Sequence, residues 1–169
     1  MKKKKRMPAV VDTNVPIVAN HKGGEPIACA AACAQALHEI TRTGLLVIDE
    51  GGLIFNEYKN YLSFAGQPGA GDYFFKWLSD NRYKPDRVAQ VALADDPVRF
   101  GEFARFPDDP ALATFDRSDR KFVAAALTHA LRPPILNATD SDWWEHKETL
   151  LSHGVAAQFV CGEERFREE

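Results

Sequence analysis

Short apolar, β-branched runs alternate with helix-patterned segments along most of this chain, and that alternation limits the fold more than any other feature. "AVVD" (Ala9–Asp12), "LLVID" (Leu45–Asp49), "PPILNA" (Pro133–Ala138) and "VAAQFV" (Val155–Val160) read as buried strands, and "RVAQVAL" (Arg87–Leu93) as a further one. Strands separated by helices cannot pair as hairpins, so they predict a mostly parallel sheet covered by helices on both faces. With 169 residues the chain is long enough for one full core and too short for two, so the expectation is a single-domain α/β/α sandwich.

The helical segments carry their own punctuation. Pro26 suits the first position of a helix in which Ile27, Ala30, Ala34, Leu37 and Ile40 share a face, and Gly44 stops it. "LIFNEYKNYL" sets Ile54, Tyr58, Tyr61 and Leu62 on one side, and "YFFKWLSDN" reads as another helix. A short aromatic helix is expected from Asp96 to Phe103. Ser118 is expected to cap "DRKFVAAALTHAL", with Phe122, Val123, Ala126 and Leu127 facing the core, and Gly154 to end "SDWWEHKETLLSH". The connector Ala65–Asp72 is rich in glycine but lacks the Gly-Lys-Ser/Thr ending of a phosphate-cradling loop. Residues 1–7 read as a flexible basic tail, 8–162 as the domain and 163–169 as a charged C-terminal tail.

The net charge of −3 excludes a globally basic nucleic-acid binder but not a nuclease, whose clustered carboxylates lower the net charge. No apolar run approaches the roughly 20 residues of a membrane span, and no apolar segment follows "MKKKKR" as a secretory signal requires, so no membrane association and a cytoplasmic address are expected. The "KKKKR" stretch reads as a solvated end that could attract phosphate. Of the three cysteines, Cys29 and Cys33 lie four apart in an alanine-rich helix, where core packing is expected over a disulfide or zinc site.

Four acidic positions fall where a parallel sheet would gather them. Asp12 ends the first strand, Glu57 lies in the helix after the second, Asp119 opens a helix and Asp140 follows "PILNA", with Asp142 two residues on. Strand C-termini and the N-termini of the following helices open on one edge of such a sheet. Carboxylates brought together there repel unless a hard divalent cation, Mg²⁺ or Mn²⁺, neutralises them; there is no comparable histidine and cysteine set to favour zinc. Asp49 or Glu50 could stand in for Glu57, and Asp116 for Asp119. Asp119 and Asp142 could also serve only as helix-start acids.

"VVDTN", "LIFNEYKNYL", "SDRKFVAAAL" and "ILNATDSDWW" resemble, in order, the four acidic motifs of the PIN-domain nucleases over about Val10–Val160. The resemblance implies a PIN-like sandwich and a metal-dependent endoribonuclease, often a toxin of a prokaryotic toxin–antitoxin pair or a defence nuclease. It implies that Asp12, Glu57, Asp119 and Asp140 are catalytic and position one or two Mg²⁺ or Mn²⁺ ions, with Asp142 a further metal ligand and Asn14 a substrate-binding residue. RNA is then the substrate, a cognate antitoxin a partner, and a homodimer is compatible.

Beside Asp119, the cations Arg117, Arg120 and Lys121 are candidates to hold the RNA backbone, or equally a solvated helix face. Two departures from the family stand out. The Ala65–Phe115 stretch is longer than in the compact toxins, and Trp143 stands where phenylalanine is frequent. Trp143 and Trp144 read as core residues rather than base-stacking ones, and no histidine has a convincing nucleophile partner. The rival readings are a haloacid-dehalogenase-type phosphatase, which needs an acid at the position of Asn14, and a non-catalytic RNA- or partner-binding module on the same fold.

Overall fold

The computed structural model describes residues 2–167, so Met1, Glu168 and Glu169 of the two expected tails lie outside it. Five strands form one parallel sheet: β1 (Met7–Val11), β2 (Gly44–Asp49), β3 (Val88–Val91), β4 (Ile135–Asn137) and β5 (Ala157–Phe159). Their spatial order is β3-β2-β1-β4-β5. The chain thus builds outward from β1 through β2 to β3, then returns to the other side of β1 for β4 and β5. The register pairs Ala9 with Leu46 and Val11 with Leu136, so β1 is central. Its residues Ala9–Val11 are buried, as a strand covered on both faces must be.

Seven α-helices, α1 (Asn14–Ala19), α2 (Ile27–Thr43), α3 (Leu53–Tyr61), α4 (Ala70–Asn81), α5 (Arg120–Thr128), α6 (Ser141–Ser152) and α7 (Glu164–Arg167), and two 3₁₀ turns, Pro110–Leu112 and Arg117–Asp119, complete the described elements. Helices α1, α2 and α4 pack on one another, with α2 against β2. Helix α5 lies across β1, β2 and β4, and α6 covers β5. Every residue of α5 from Arg120 to Leu127 is buried, not just the one apolar face its periodicity suggests. Its alanines 124–126 leave no bulk to hold the helix off the sheet.

Several sequence expectations need correction. No helix forms from Asp96 to Phe103. A left-handed Gly101 (φ +74°) interrupts it, and the segment is a loop closed by an antiparallel bridge between Asp95 and Phe103. Arg99 braces this loop, bonding Asp96 Oδ2 at 2.8 Å and the carbonyls of Phe103 and Phe106. Helix α4 begins at Ala70, inside the expected connector, because Asp72 Oδ2 accepts the Gly69 N–H at 3.1 Å and closes the first turn. Ser118 caps nothing: residues 117–119 form a 3₁₀ turn whose cap is Asp116, accepting the Ser118 N–H at 2.8 Å.

The tails are also more structured than expected. Arg6 donates to the Arg42 and Gly44 carbonyls at 3.0 and 3.2 Å, quenching the C-terminus of α2. Phe166 of α7 is buried and stacks on Trp144 at 5.2 Å between ring centroids, so the domain continues past residue 162. Cys29 is bonded to Cys161 in a disulfide spanning 132 residues, which overturns the simple core-packing expectation for that residue. Cys33 keeps its thiol and is fully buried. No described helix is long and apolar enough to cross a membrane.

Candidate metal centre

The strand order reverses between β1 and β4, and in an open α/β fold the crevice at such a switch point, outside the strand C-termini, is the usual place for a ligand. Asp12 immediately follows β1. Asp140 follows β4 as the cap of α6, its Oδ1 accepting the Asp142 N–H at 2.9 Å. Asp119 closes the 3₁₀ turn that leads into α5. Each of these three carboxylates offers an oxygen, and the three oxygens lie within 4.8 Å of one another. Residues separated by more than a hundred positions therefore meet, as the parallel topology predicts.

Neighbours hold each acid in place. Asn14 Nδ2 and Trp143 Nε1 both donate to Asp12 Oδ2, at 3.3 and 2.5 Å. The Asn14 side chain also accepts the Ala138 N–H at 2.8 Å, tying the start of α1 to the end of β4. Asn137, fully buried, accepts the Asp140 N–H at 3.2 Å. Tyr58 donates to the Val11 carbonyl at 2.5 Å, fixing α3 to the strand that carries Asp12.

The electrostatics are those of crowded acids. Burial, then the negative charges of Asp140 and Glu57, push the Asp12 carboxyl up to about 7. Burial and the charges of Asp12 and Asp140 push Asp119 up to about 9. Asp140 is raised as well, chiefly by burial. Among the described residues no lysine, arginine or histidine forms an ion pair with Asp12, Asp119 or Asp140. A set of carboxylate oxygens with no protein counter-charge suits a hard cation, so the donor chemistry fits Mg²⁺ or Mn²⁺.

Glu57 stands at the rim, half-buried, with Lys121 Nζ at 2.8 Å from its Oε1 and the Thr13 hydroxyl donating to Oε2. It acts on Asp12 and Asp119 through charge rather than lying among the three closest oxygens. The alternatives are committed elsewhere. Asp49 accepts the Leu53 and Ile54 N–H groups at 2.9 and 2.8 Å and so starts α3, while Asp116 caps the 3₁₀ turn. Asp142 points away from the trio: its Oδ2 accepts the Asp116 N–H at 2.8 Å, and its Oδ1 lies 3.1 Å from His146 Nδ1.

The basic candidates separate. Arg120 is buried, paired with Glu102 at 2.5 Å and bonded to the carbonyls of Leu112, Ala113 and Phe115, so it braces the preceding loop and is not free to hold a substrate. Lys121 faces Glu57 and bonds the Ser118 carbonyl. Only Arg117 is exposed, close to Gly101 at the tip of the 92–106 loop, where Val98 and Phe100 are fully open to solvent.

Sequence reasoning missed Thr13 and the donor role of Trp143. The threonine was visible beside Asp12 in "VVDTN", but no sequence signal says which way an indole N–H points. No family model, no curated protein and no solved structure matches this chain.

Proposed function

We propose that this protein is a PIN-type, Mg²⁺- or Mn²⁺-dependent nuclease that hydrolyses phosphodiester bonds in RNA as an endonuclease, working in the cytoplasm as a toxin or defence enzyme. The convergence of Asp12, Asp119 and Asp140 at the sheet's switch point, without a protein counter-charge, carries this reading. Asp12, Asp119 and Asp140 would hold the cation. When bound, that ion supplies charge neutralisation for a phosphodiester oxygen and favours delivery of a nucleophilic water.

The chain's own groups do the rest. Asn14 and Trp143 fix the Asp12 carboxylate, the Asn14 and Trp143 side chains donating to Oδ2 and the Asn14 backbone N–H to Oδ1. Burial and the charges of Asp12 and Asp140 favour a proton on Asp119, which a bound cation would displace, coupling metal binding to proton release. Lys121 and Thr13 orient Glu57 at the mouth, where its carboxylate adds to the negative field that recruits the ion. Asn14 occupies the position where a dehalogenase-type phosphatase needs an acid, and its amide is already engaged on both sides.

The test is cleavage of single-stranded and structured RNA, with matched DNA, across Mg²⁺ and Mn²⁺ titrations for wild type and Asp12→Asn. Metal-dependent RNA cleavage lost in the variant supports the reading. RNA binding without cleavage in any metal would mark a non-catalytic module. Hydrolysis of small phosphomonoesters alone would mark a phosphatase. For the toxin reading, a small inhibitor protein encoded beside this chain is the expected partner.

A further inference from the structure

Cys29, Cys33 and Cys161 form a second cluster, set apart from the carboxylates by residue type and by element. Their three sulfurs lie within 4.8 Å of one another. A disulfide uses two of them, Cys29 and Cys161, and leaves the Cys33 sulfur in contact with Cys161 at 3.7 Å. Cys33 is fully buried in the core, and among the described residues the Cys161 sulfur is the one side-chain polar atom in hydrogen-bond-type contact with it. Chance packing of one cysteine needs no explanation, but three sulfurs from two distant segments at one point do.

We infer that the reduced chain binds one zinc-class cation through the thiolates of Cys29, Cys33 and Cys161, at the junction of α2 with the segment after β5. Thiolates about 2.3 Å from a tetrahedral zinc lie about 3.8 Å apart. Cys33 and Cys161 already have that separation, at 3.7 Å. Reducing the Cys29–Cys161 bond lets those two sulfurs part to van der Waals contact, which is the same spacing.

Cys29 and Cys33 stand one turn apart on the same face of the 17-residue α2, with Cys29 in its first turn, where the helix dipole favours a thiolate. Glu25, half-buried just before α2, places a negative charge near Cys33 that raises its thiol further. A cation at the cluster would turn that repulsion into attraction, and the Glu25 carboxylate is a candidate for a fourth position. The soft sulfur set and the hard carboxylate set would then select different ions within one domain. Oxidation to the disulfide removes two of the three ligands, so zinc and the Cys29–Cys161 bond exclude each other.

The experiment is an anaerobic Co²⁺ titration of the full chain, reduced with a phosphine and then oxidised. The reduced chain should bind one Co²⁺ with a sulfur-to-cobalt charge-transfer band that one equivalent of Zn²⁺ abolishes. The oxidised chain should show no such band. Excess Mg²⁺ and the Asp12→Asn substitution should leave the band in place, since carboxylates do not produce it; failure of the nuclease reading therefore leaves this one standing. Cys33→Ala should dim the band and weaken Zn²⁺ binding roughly a hundredfold, the upper end of what even outer-shell partners of a metal are worth.

A second readout needs no cysteine variant: Zn²⁺ should raise the melting temperature of the reduced Asp12→Asn chain and not of its oxidised form. Absence of a thiolate band in the reduced wild type, a band unchanged by Cys33→Ala, or equal Zn²⁺ responses in both redox forms would overturn the site.

Discussion

The indole N–H of Trp143 donates to Asp12 Oδ2 at 2.5 Å across 131 residues of sequence. Trp143 is itself fully buried and meets Phe115 edge to face at 5.0 Å, so the ring that fills the core beneath α6 also aims the first acid of the cluster. A phenylalanine there would keep most of the packing and lose the donor. Trp143→Phe is therefore expected to remain folded, to raise the proton affinity of Asp12 further, and to weaken Mg²⁺ binding about tenfold or more. The checks are a Mg²⁺ titration followed by thermal shift and the pH profile of cleavage. Unchanged Mg²⁺ affinity would reduce Trp143 to a packing residue.

Burial and the neighbouring negative charges push the Asp12 and Asp119 carboxyls well above the ordinary 3.8, up to about 7 and about 9. A raised carboxyl favours the protonated folded chain. The stability it contributes is complete below the ordinary value and is lost as pH climbs through the raised one. In a chelator, the melting temperature should therefore fall from about pH 4 to about pH 9. Mg²⁺ should reverse that fall at the upper end, adding about 2.7 kcal/mol at a hundredfold excess over its dissociation constant. Asp119→Asn should flatten the pH dependence, stabilise the metal-free chain above pH 7 and abolish cleavage. A melting temperature that rises across this window would contradict the crowding of the acids.

Lys121 and Glu57 form a pair whose side chains are only 11% and 23% exposed. Lys121→Met leaves the Glu57 carboxylate with Thr13 alone and adds negative charge to the crevice. It should destabilise the metal-free chain by about 2 kcal/mol, and added Mg²⁺ should recover part of that loss. Chemical denaturation with and without Mg²⁺ measures both terms, and an equal loss in the two conditions would remove Glu57 from the cation's neighbourhood.

Arg117 lies exposed in the 3₁₀ turn that leads to Asp119 and Phe100 is exposed beside Gly101, which Arg117 approaches, whereas Arg120 is internal. Arg117→Ala should weaken RNA binding and lower its salt slope by about 1, and Phe100→Ala should weaken it with little change of slope, as loss of a stacked base does. Arg120→Lys should instead cost stability, about 2–4 kcal/mol, because the buried fork that serves Glu102 and three carbonyls is gone. RNA affinities at several salt concentrations beside urea unfolding separate the two roles. If Arg120→Lys alters the salt slope more than Arg117→Ala, the assignment is reversed.

The parallel sheet and the meeting of Asp12, Asp119 and Asp140 were legible because periodicity and strand-tip position are local properties that topology converts into proximity. What escaped was decided by contacts between distant segments. Arg120 reads like its neighbours Arg117 and Lys121, and only the course of the 92–106 loop, which brings Glu102 against it, takes it out of solvent. Asp96-Pro97 reads like a helix start, and only the left-handed Gly101 and the bridge from Asp95 to Phe103 turn that segment into a loop. Asp142 was grouped with Asp140 by adjacency, yet the turn at Asp116 and the ring of His146 hold it aside. Cys161 lies too far from Cys29 in sequence for any spacing rule to pair them.

Strand order also sets when the crevice can exist. A growing polypeptide that has reached Val91 owns β1, β2 and β3, with Asp12 and Glu57 in place, but not the strand that lies on the other side of β1. Asp119 and Asp140 come later, and β4, which supplies the wall opposite Asp12, is among the last elements made. The ribosome therefore releases most of the sheet and the first acid before the two later acids that complete the cluster.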